Sequence, residues 1–151
     1  AGRVVPSDLA IGSEDEVRVH ADADGVAVLR VAEAHLEAVH CRDECSAPVE
    51  IAPGARAADA VFFQGALYVS YLGTGPQPLL VRIDEEGASE PMRPAGCFSE
   101  GESRAGLSGF CGAPAMATDG TRLLLGARDG SDALVLESTD GRTWLPARGL
   151  R

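Results

Sequence analysis

The chain has 151 residues, of which 45% are hydrophobic and 24% charged, so it is long enough to form one globular domain with a buried core. Its 23 acidic and 13 basic residues give a formal net charge of -10, which disfavours nucleic acid as a partner because phosphate backbones repel an acidic surface. No apolar run approaches the roughly 20 residues of a membrane-spanning helix, so we expect no membrane span.

Short apolar segments joined by tight turns recur three times along the chain. In each unit the first two segments flank a turn that ends in glycine, which tolerates the positive φ of a hairpin turn. These hairpins are predicted at Val17–Val31 around Gly25, at Ala60–Tyr71 around Gly65 and at Ala115–Gly126 around Gly120.

A second hairpin follows the first in every unit. The third segments are Leu36–Cys41, Leu79–Ile83 and Ala133–Glu137, and the fourth are Pro48–Ile51, Ala88–Met92 and Arg142–Leu145. Each unit therefore predicts a four-stranded antiparallel meander. We place the three units at residues 15–53, 57–94 and 113–148, with an insertion at 95–112.

The spacing of the units indicates the fold. Gly65 follows Gly25 by 40 residues, and Gly120 follows Gly65 by 55, because the insertion lengthens the second interval. A period near 40 with four strands per unit is typical of a β-propeller blade. Although Ala32–Ala38 has helical propensity, its counterparts in the other units are turn and strand, so we assign it to a hairpin. The predicted fold class is all-β, with about three propeller-type blades that form part of a ring.

The four cysteines form two close pairs, which predicts disulfides Cys41–Cys45 and Cys97–Cys111. A four-thiolate zinc site is the alternative, but the thirteen residues between Cys97 and Cys111 exceed the usual spacing. Disulfides indicate an oxidising compartment, so we expect a secreted, periplasmic or cell-surface protein. Because Ala1–Pro6 lack the apolar core of a signal peptide, any export signal is expected to have been removed.

The segment Ser138–Trp144 reads Ser-Thr-Asp-Gly-Arg-Thr-Trp and resembles the Asp-box, or bacterial neuraminidase repeat, of sialidase-like propellers. The usual form is Ser-x-Asp-x-Gly-x-Thr-Trp, so this chain has one residue fewer between Asp140 and Gly141. The resemblance implies a structural turn and not a catalytic site. Asp140 would accept bonds from turn N–H groups, Gly141 would take the left-handed conformation, and Trp144 would be buried between blades. In the first blade, a Cys41–Cys45 disulfide would tie the corresponding hairpin.

Three blades make an incomplete ring, since propellers usually have four to eight. The chain could be half of a symmetric dimer, one piece of a processed or multi-chain propeller, or a segment of a longer gene product. We expect association with another copy or another chain, because an isolated wedge would expose apolar sheet faces at both ends.

The insertion is the candidate ligand-binding loop, since loops on a rigid scaffold usually carry recognition. Its candidate residues are Phe98, Glu100, Glu102, Arg104 and Phe110. No cofactor or metal site is predicted: the Asp22–Gly25 segment is a turn with too few ligands for calcium. The three histidines (His20, His35 and His40) have no partner at metal-ligand spacing.

The hypothesis that these patterns favour is a secreted or envelope propeller module that binds a protein or glycan without catalysis. A sialidase-like, glycan-active enzyme is one alternative, and a structural subunit of a larger assembly is another. The enzyme would need several arginines, such as Arg30, Arg82 and Arg122, around one channel with a tyrosine. The only tyrosines, Tyr68 and Tyr71, should face opposite sides of one strand.

Overall fold

The computed structural model describes residues 15–32, 35–55, 57–74, 78–94, 113–129 and 132–147. Over these ranges the protein is all-β and has no helix; it forms three four-stranded antiparallel sheets. The predicted fold class of four-stranded antiparallel units is thereby confirmed. The described ranges also contain no helix with the length and hydropathy of a membrane span.

Each sheet is a meander in which the strand order follows the chain. Sheet 1 consists of β1 (Glu16–Asp22), β2 (Gly25–Val31), β3 (His35–Cys41) and β4 (Val49–Pro53). Sheet 2 consists of β5 (Ala57–Phe63), β6 (Ala66–Leu72), β7 (Pro78–Asp84) and β8 (Gly87–Ala88). Sheet 3 consists of β9 (Ala115–Thr118), β10 (Leu123–Asp129), β11 (Asp132–Ser138) and β12 (Leu145–Pro146).

The outermost strands of sheets 2 and 3 are shorter than the sequence predicts. The strand β8 ends at Ala88, and the Ser89 N–H still donates to the Arg82 carbonyl at 2.8 Å. The chain then leaves the sheet and returns at Met92, where two backbone hydrogen bonds of 2.8 and 2.9 Å join it to Leu80. A serine interrupts the pairing, because the Ser89 hydroxyl accepts a bond from the Arg82 N–H at 3.0 Å. The edge of sheet 2 is therefore irregular, a feature that discourages further strand addition.

Sheet 2 lies between the other two sheets, and every residue of β6 is buried. Because side chains alternate along a strand, β6 supplies both of its faces with apolar groups. Leu67, Val69 and Tyr71 belong to the core shared with sheet 1. Ala66 and Tyr68 belong to the core shared with sheet 3. The two cores thus lie back to back on the two faces of sheet 2.

The first strands of the sheets also meet, since β5 contacts both β1 and β9. Asp59 of β5 is the polar link between them. Its Oδ2 accepts a hydrogen bond from the backbone N–H of Met116 in β9 at 2.7 Å, and its Oδ1 lies 2.9 Å from His20 Nε2 of β1. The histidine contact lacks hydrogen-bond geometry, so the bond from Met116 is the hydrogen bond that Asp59 accepts here. With its side chain only 14% exposed, Asp59 connects three sheets through one carboxylate.

We predict that Asp59→Ala destabilises the protein by about 1.5–3 kcal/mol, the range for a partly buried hydrogen bond to a charged group. The variant leaves the N–H of Met116 without its acceptor. Urea unfolding followed by circular dichroism measures the change, with Asp24→Ala as the control because Asp24 is exposed and its carboxylate makes no hydrogen bond or ion pair in the described ranges. Equal unfolding midpoints for the two variants would contradict the role given to Asp59.

Candidate functional site

The turns after the first and third strands of each sheet gather on one side of the molecule, which we call the turn face. Two hydrogen bonds link turns of different sheets there. Arg42, after β3, donates from Nη2 to the Gly65 carbonyl at 3.0 Å, and Gln64 donates from Nε2 to the Thr139 carbonyl at 3.2 Å. The β5–β6 turn is therefore held from both sides, and the turn face is one continuous surface.

The Ser138–Trp144 turn is organised by the Asp140 carboxylate. Its Oδ1 accepts the backbone N–H of Thr143 at 2.7 Å and that of Arg142 at 2.8 Å, while Oδ2 accepts the Thr143 hydroxyl at 3.1 Å. Ser138 donates to the same carboxylate and accepts the N–H of Gly141 at 2.9 Å. These donors, the N–H of Thr143 foremost, hold the pKa of Asp140 well below its ordinary value.

Two features of the structure favour glycine at residue 141. Its φ of 70° lies in the left-handed region, which disfavours a side chain. A Cβ at this position would also overlap the hydroxyl and ring carbons of Tyr68 from sheet 2. The next aromatic residue, Trp144, is 5% exposed and lies in the same core as Tyr68 and Phe63. The turn is thus packed directly against the neighbouring sheet.

A second turn with the same chemistry lies at Asp119–Arg122. Asp119 Oδ1 accepts the N–H groups of Thr121 and Arg122 at 2.9 and 2.8 Å, and Gly120 has a φ of 87°. Hydrogen bonds, the Thr121 hydroxyl foremost, again hold the pKa of the aspartate well below its ordinary value. The sequence pattern marked this segment only as a plain turn, although the Asp-Gly pair that it shares with Asp140–Gly141 was a usable signal.

In sheet 1 a covalent bond closes the β3–β4 turn, which corresponds to the Ser138–Trp144 turn of sheet 3. The Cys41–Cys45 disulfide is present, as the sequence predicts. Cys41 is the last residue of β3, as Ser138 is the last residue of β11, so the disulfide and the hydroxyl network begin at equivalent strand positions. The disulfide closes the loop that carries Arg42, the residue that reaches Gly65. The predicted Cys97–Cys111 pair lies outside the described residues.

Several clefts open on the turn face, and two of them are considered for binding. One, of about 390 Å³, lies between sheets 1 and 2 and is lined by His40, Arg42, Asp43, Glu44, Phe62, Gly65, Leu67, Ile83, Asp84 and Glu85. The other, of about 250 Å³, lies between sheets 2 and 3. We call it the Tyr68 cleft; it is lined by Gln64, Tyr68, Arg82, Asp140 and Arg142.

The residues that the sequence singled out for binding are placed as follows. The whole loop set of Phe98, Glu100, Glu102, Arg104 and Phe110 lies outside the described residues. Among the residues that are described, no group of three or more His, Cys, Asp or Glu side chains could hold a metal ion. His20 contacts Asp59, while His35 Nδ1 lies 3.6 Å from an exposed Glu50 carboxylate. His40 lines the first cleft.

The arginines considered for a channel are not brought together. Arg30 pairs with Glu37 at 2.6 Å, and Arg122 pairs with Glu137 at 2.7 Å, each within its own sheet. Arg82 pairs with Asp84 two residues along β7.

The two tyrosines face opposite sides of β6, as expected from their spacing. Both are buried, and burial raises the pKa of Tyr71. Arg82 is the cross-strand partner of Tyr68, but Arg30 and Arg122 pair within sheets 1 and 3, so the three suggested arginines do not surround one tyrosine.

No protein-family model matches the chain, and a search of curated proteins also finds no match. The likeness of Ser138–Trp144 to the Asp-box therefore depends on these seven residues alone.

Sequence reasoning missed the Tyr68 cleft because its members come from three separate segments. Tyr68 and Arg82 are cross-strand partners of β6 and β7, and Arg142 follows the glycine of the β11–β12 turn. The β6–β7 register could have been anticipated by counting outward from the hairpin turns. The packing of sheet 3 on sheet 2, which adds Arg142, had no local signal.

We predict that Gly141→Ala destabilises the fold more than Gly120→Ala. Both changes place a Cβ at positive φ, which costs about 1–2 kcal/mol. Only Gly141 meets Tyr68, whereas a Cβ at Gly120 enters open space, so overpacking adds about 1–3 kcal/mol at Gly141. Urea unfolding of the two variants measures the difference. Equal losses of stability would show that the Tyr68 ring moves aside without an energetic penalty.

We also predict that Asp140 makes the fold acid-sensitive. Because its pKa is lower in the folded than in the unfolded chain, it adds stability above the ordinary aspartate pKa of about 3.9, and that contribution is lost as the pH falls below this value. Asp140→Asn should therefore lower stability at pH 6 and flatten the decline towards pH 2. Urea midpoints across this range test it, with exposed Asp43→Asn as the control; parallel curves for Asp140→Asn and the unaltered protein would refute it.

Proposed function

We propose that this chain is a secreted or cell-envelope binding module of the β-propeller type, which completes its ring by pairing with a second copy. The observation that carries this proposal is an asymmetry among the sheets. Sheet 2 is covered on both faces, whereas sheets 1 and 3 each have one face that no described sheet covers. Every sheet has the four-stranded meander topology that propeller blades share.

The open face of sheet 1 is rich in valine. Val17, Val19 and Val26 lie on this side of β1 and β2 and are exposed, Val19 at 62%. In sheet 2 the matching positions of the second strand are Leu67 and Val69, which are buried against sheet 1. The face that is covered in sheet 2 is thus uncovered in sheet 1, and exposed apolar patches of this kind mark interaction surfaces.

The open face of sheet 3 lies on the opposite side of the molecule. It carries half-buried Leu124 and, across Glu137, Leu145 at 60% exposure. In sheet 2 the same face carries Tyr68, which sheet 3 covers. Sheet 3 of one copy would cover the valines of sheet 1 in another, just as sheet 2 covers sheet 3 within the chain.

A two-fold pair would use both open faces twice and leave none exposed. Two copies contribute six sheets, which lies within the usual range of four to eight blades. The Cys41–Cys45 disulfide supports an oxidising compartment, and the clefts of the turn face support a binding role. Residues 95–112 remain the proposed loop for a protein or glycan ligand.

Light scattering after size exclusion tests the pairing. We expect a mass of about twice 15.6 kDa, falling to that of one chain in Val19→Lys, because a buried unpaired charge opposes association. Ala88→Lys is the matched control, since Ala88 is exposed on the outer strand of sheet 2 and should leave the pair intact.

Tryptophan emission confirms that each variant is folded. A monomer at every concentration of the unaltered protein, or a dimer that survives both Val19→Lys and Leu145→Lys, would overturn the proposed pairing.

A further inference from the structure

Tyr68 has a buried ring and a hydroxyl that has no partner among the residues that the structure describes. The residue is only 3% exposed, and its ring packs edge-on against Phe63 with centroids 6.1 Å apart. Its hydroxyl makes no hydrogen bond with any described residue. That hydroxyl lies against Gly141, whose neighbours Asp140 and Arg142 line the Tyr68 cleft, so the polar end of the ring faces the cleft. A phenol that lacks a partner in such a place has a free donor and acceptor for a ligand.

Two guanidinium groups line the same cleft. The Arg142 guanidinium forms no ion pair or hydrogen bond within the described residues, and only its backbone N–H is used, by Asp140. Arg82 pairs with Asp84 through Nη1, and within the described ranges its other guanidinium nitrogens remain available for a second acceptor. Guanidinium groups match the planar geometry of a carboxylate, to which they donate two parallel hydrogen bonds.

The acidic residue of the cleft does not oppose an anion strongly. Both oxygens of Asp140 accept bonds from its own turn, which partly balance its charge. Two of the five lining residues are positive and one is negative, although Asp84 pairs with Arg82 beside the cleft and the whole chain carries a formal charge of -10. A polyanion would be repelled by the rest of the surface, so the cleft favours a small ligand with a single negative charge.

The remaining lining group is Gln64. Its Nε2 donates to the Thr139 carbonyl, so its Oε1 remains available to accept a hydroxyl proton. The cleft, of about 250 Å³, is smaller than the roughly 300–1,000 Å³ of sites for drug-sized ligands. Its donors and acceptors therefore suit a compact molecule that has both a carboxylate and hydroxyl groups.

We propose that the Tyr68 cleft is a binding site for a small hydroxy-carboxylate, of the size of one acidic sugar unit. Arg142 and Arg82 bind the carboxylate, while the Tyr68 hydroxyl and Gln64 Oε1 bind the ligand's hydroxyl groups. This site is formed by sheets 2 and 3 of one chain. It deepens the proposed binding role by naming a ligand class, but it does not require the ring to be completed.

The test uses glucuronate as the probe and glucose as its neutral match. Trp144 is the only tryptophan and belongs to the same buried cluster as Tyr68, so its emission reports occupancy, and calorimetry gives the affinity. We expect saturable binding of glucuronate in the millimolar range and none of glucose. Lactate, which has a carboxylate and one hydroxyl, should bind more weakly than glucuronate.

Substitutions in the cleft test which side chains contact the ligand. Arg142→Gln should weaken glucuronate binding about tenfold and Tyr68→Phe about threefold, since charge-assisted bonds are roughly twice as strong as neutral ones. Arg18→Gln removes the same charge from β1, outside the cleft, and should leave binding unchanged. Thermal melts show whether Tyr68→Phe is folded, and Arg142→Gln tests the site without altering the core.

Four results would overturn the proposal. The first is no saturable signal up to about 50 mM glucuronate, because a dissociation constant above that concentration means a binding free energy far weaker than that of ordinary ligands. The others are equal binding of glucose, equal binding of sulfate, and equal losses of glucuronate affinity in Arg18→Gln and Arg142→Gln. The monomeric Val19→Lys variant should still bind glucuronate, so failure of the pairing and failure of this site are separate outcomes.

Discussion

The structure depends on the need of one sheet to bury both of its faces. A strand such as β6, whose residues are apolar on both sides, cannot form a half-exposed sheet and requires a partner on each face. Sheets 1 and 3 meet that requirement, and the position of Asp59 between His20 and Met116 follows from it. The same constraint leaves the outer faces of sheets 1 and 3 open, so the features that favour association result from the packing of the central sheet.

The turn face shows how different chemistries perform the same structural task. A disulfide closes the β3–β4 turn, whereas the carboxylates of Asp119 and Asp140 close the turns before β10 and β12. The carboxylates do so by accepting N–H groups that would otherwise lack partners in a tight bend. The disulfide does not depend on ionisation, while the carboxylate turns do. The two aspartate turns of sheet 3 therefore respond to acid in a way that the disulfide of sheet 1 does not, although the sheets share one topology.

Local sequence patterns predicted the local structure, but they did not predict the contacts between sheets. The glycine turns, the four-strand units and the Cys41–Cys45 bond could be found because each involves residues close together in the chain. The contact between His20 and Asp59 could not, since it depends on how two sheets pack, which alternation along a strand does not specify. The early end of β8 at Ala88 was missed for another reason: Ser89 competes for a backbone donor that a longer strand would use.

Tyr68 belongs both to the core and to the proposed binding site. Its ring belongs to the core between sheets 2 and 3, and the missing Cβ of Gly141 lets its hydroxyl reach the turn face. A side chain at residue 141 would displace the ring, so the glycine that permits the turn also permits the position of the hydroxyl. Arg142 is placed by the same turn, because its N–H is bound by Asp140. The turn that stabilises sheet 3 thus determines where the polar groups of the cleft converge, and loss of its geometry would remove the cleft even if every lining residue were retained.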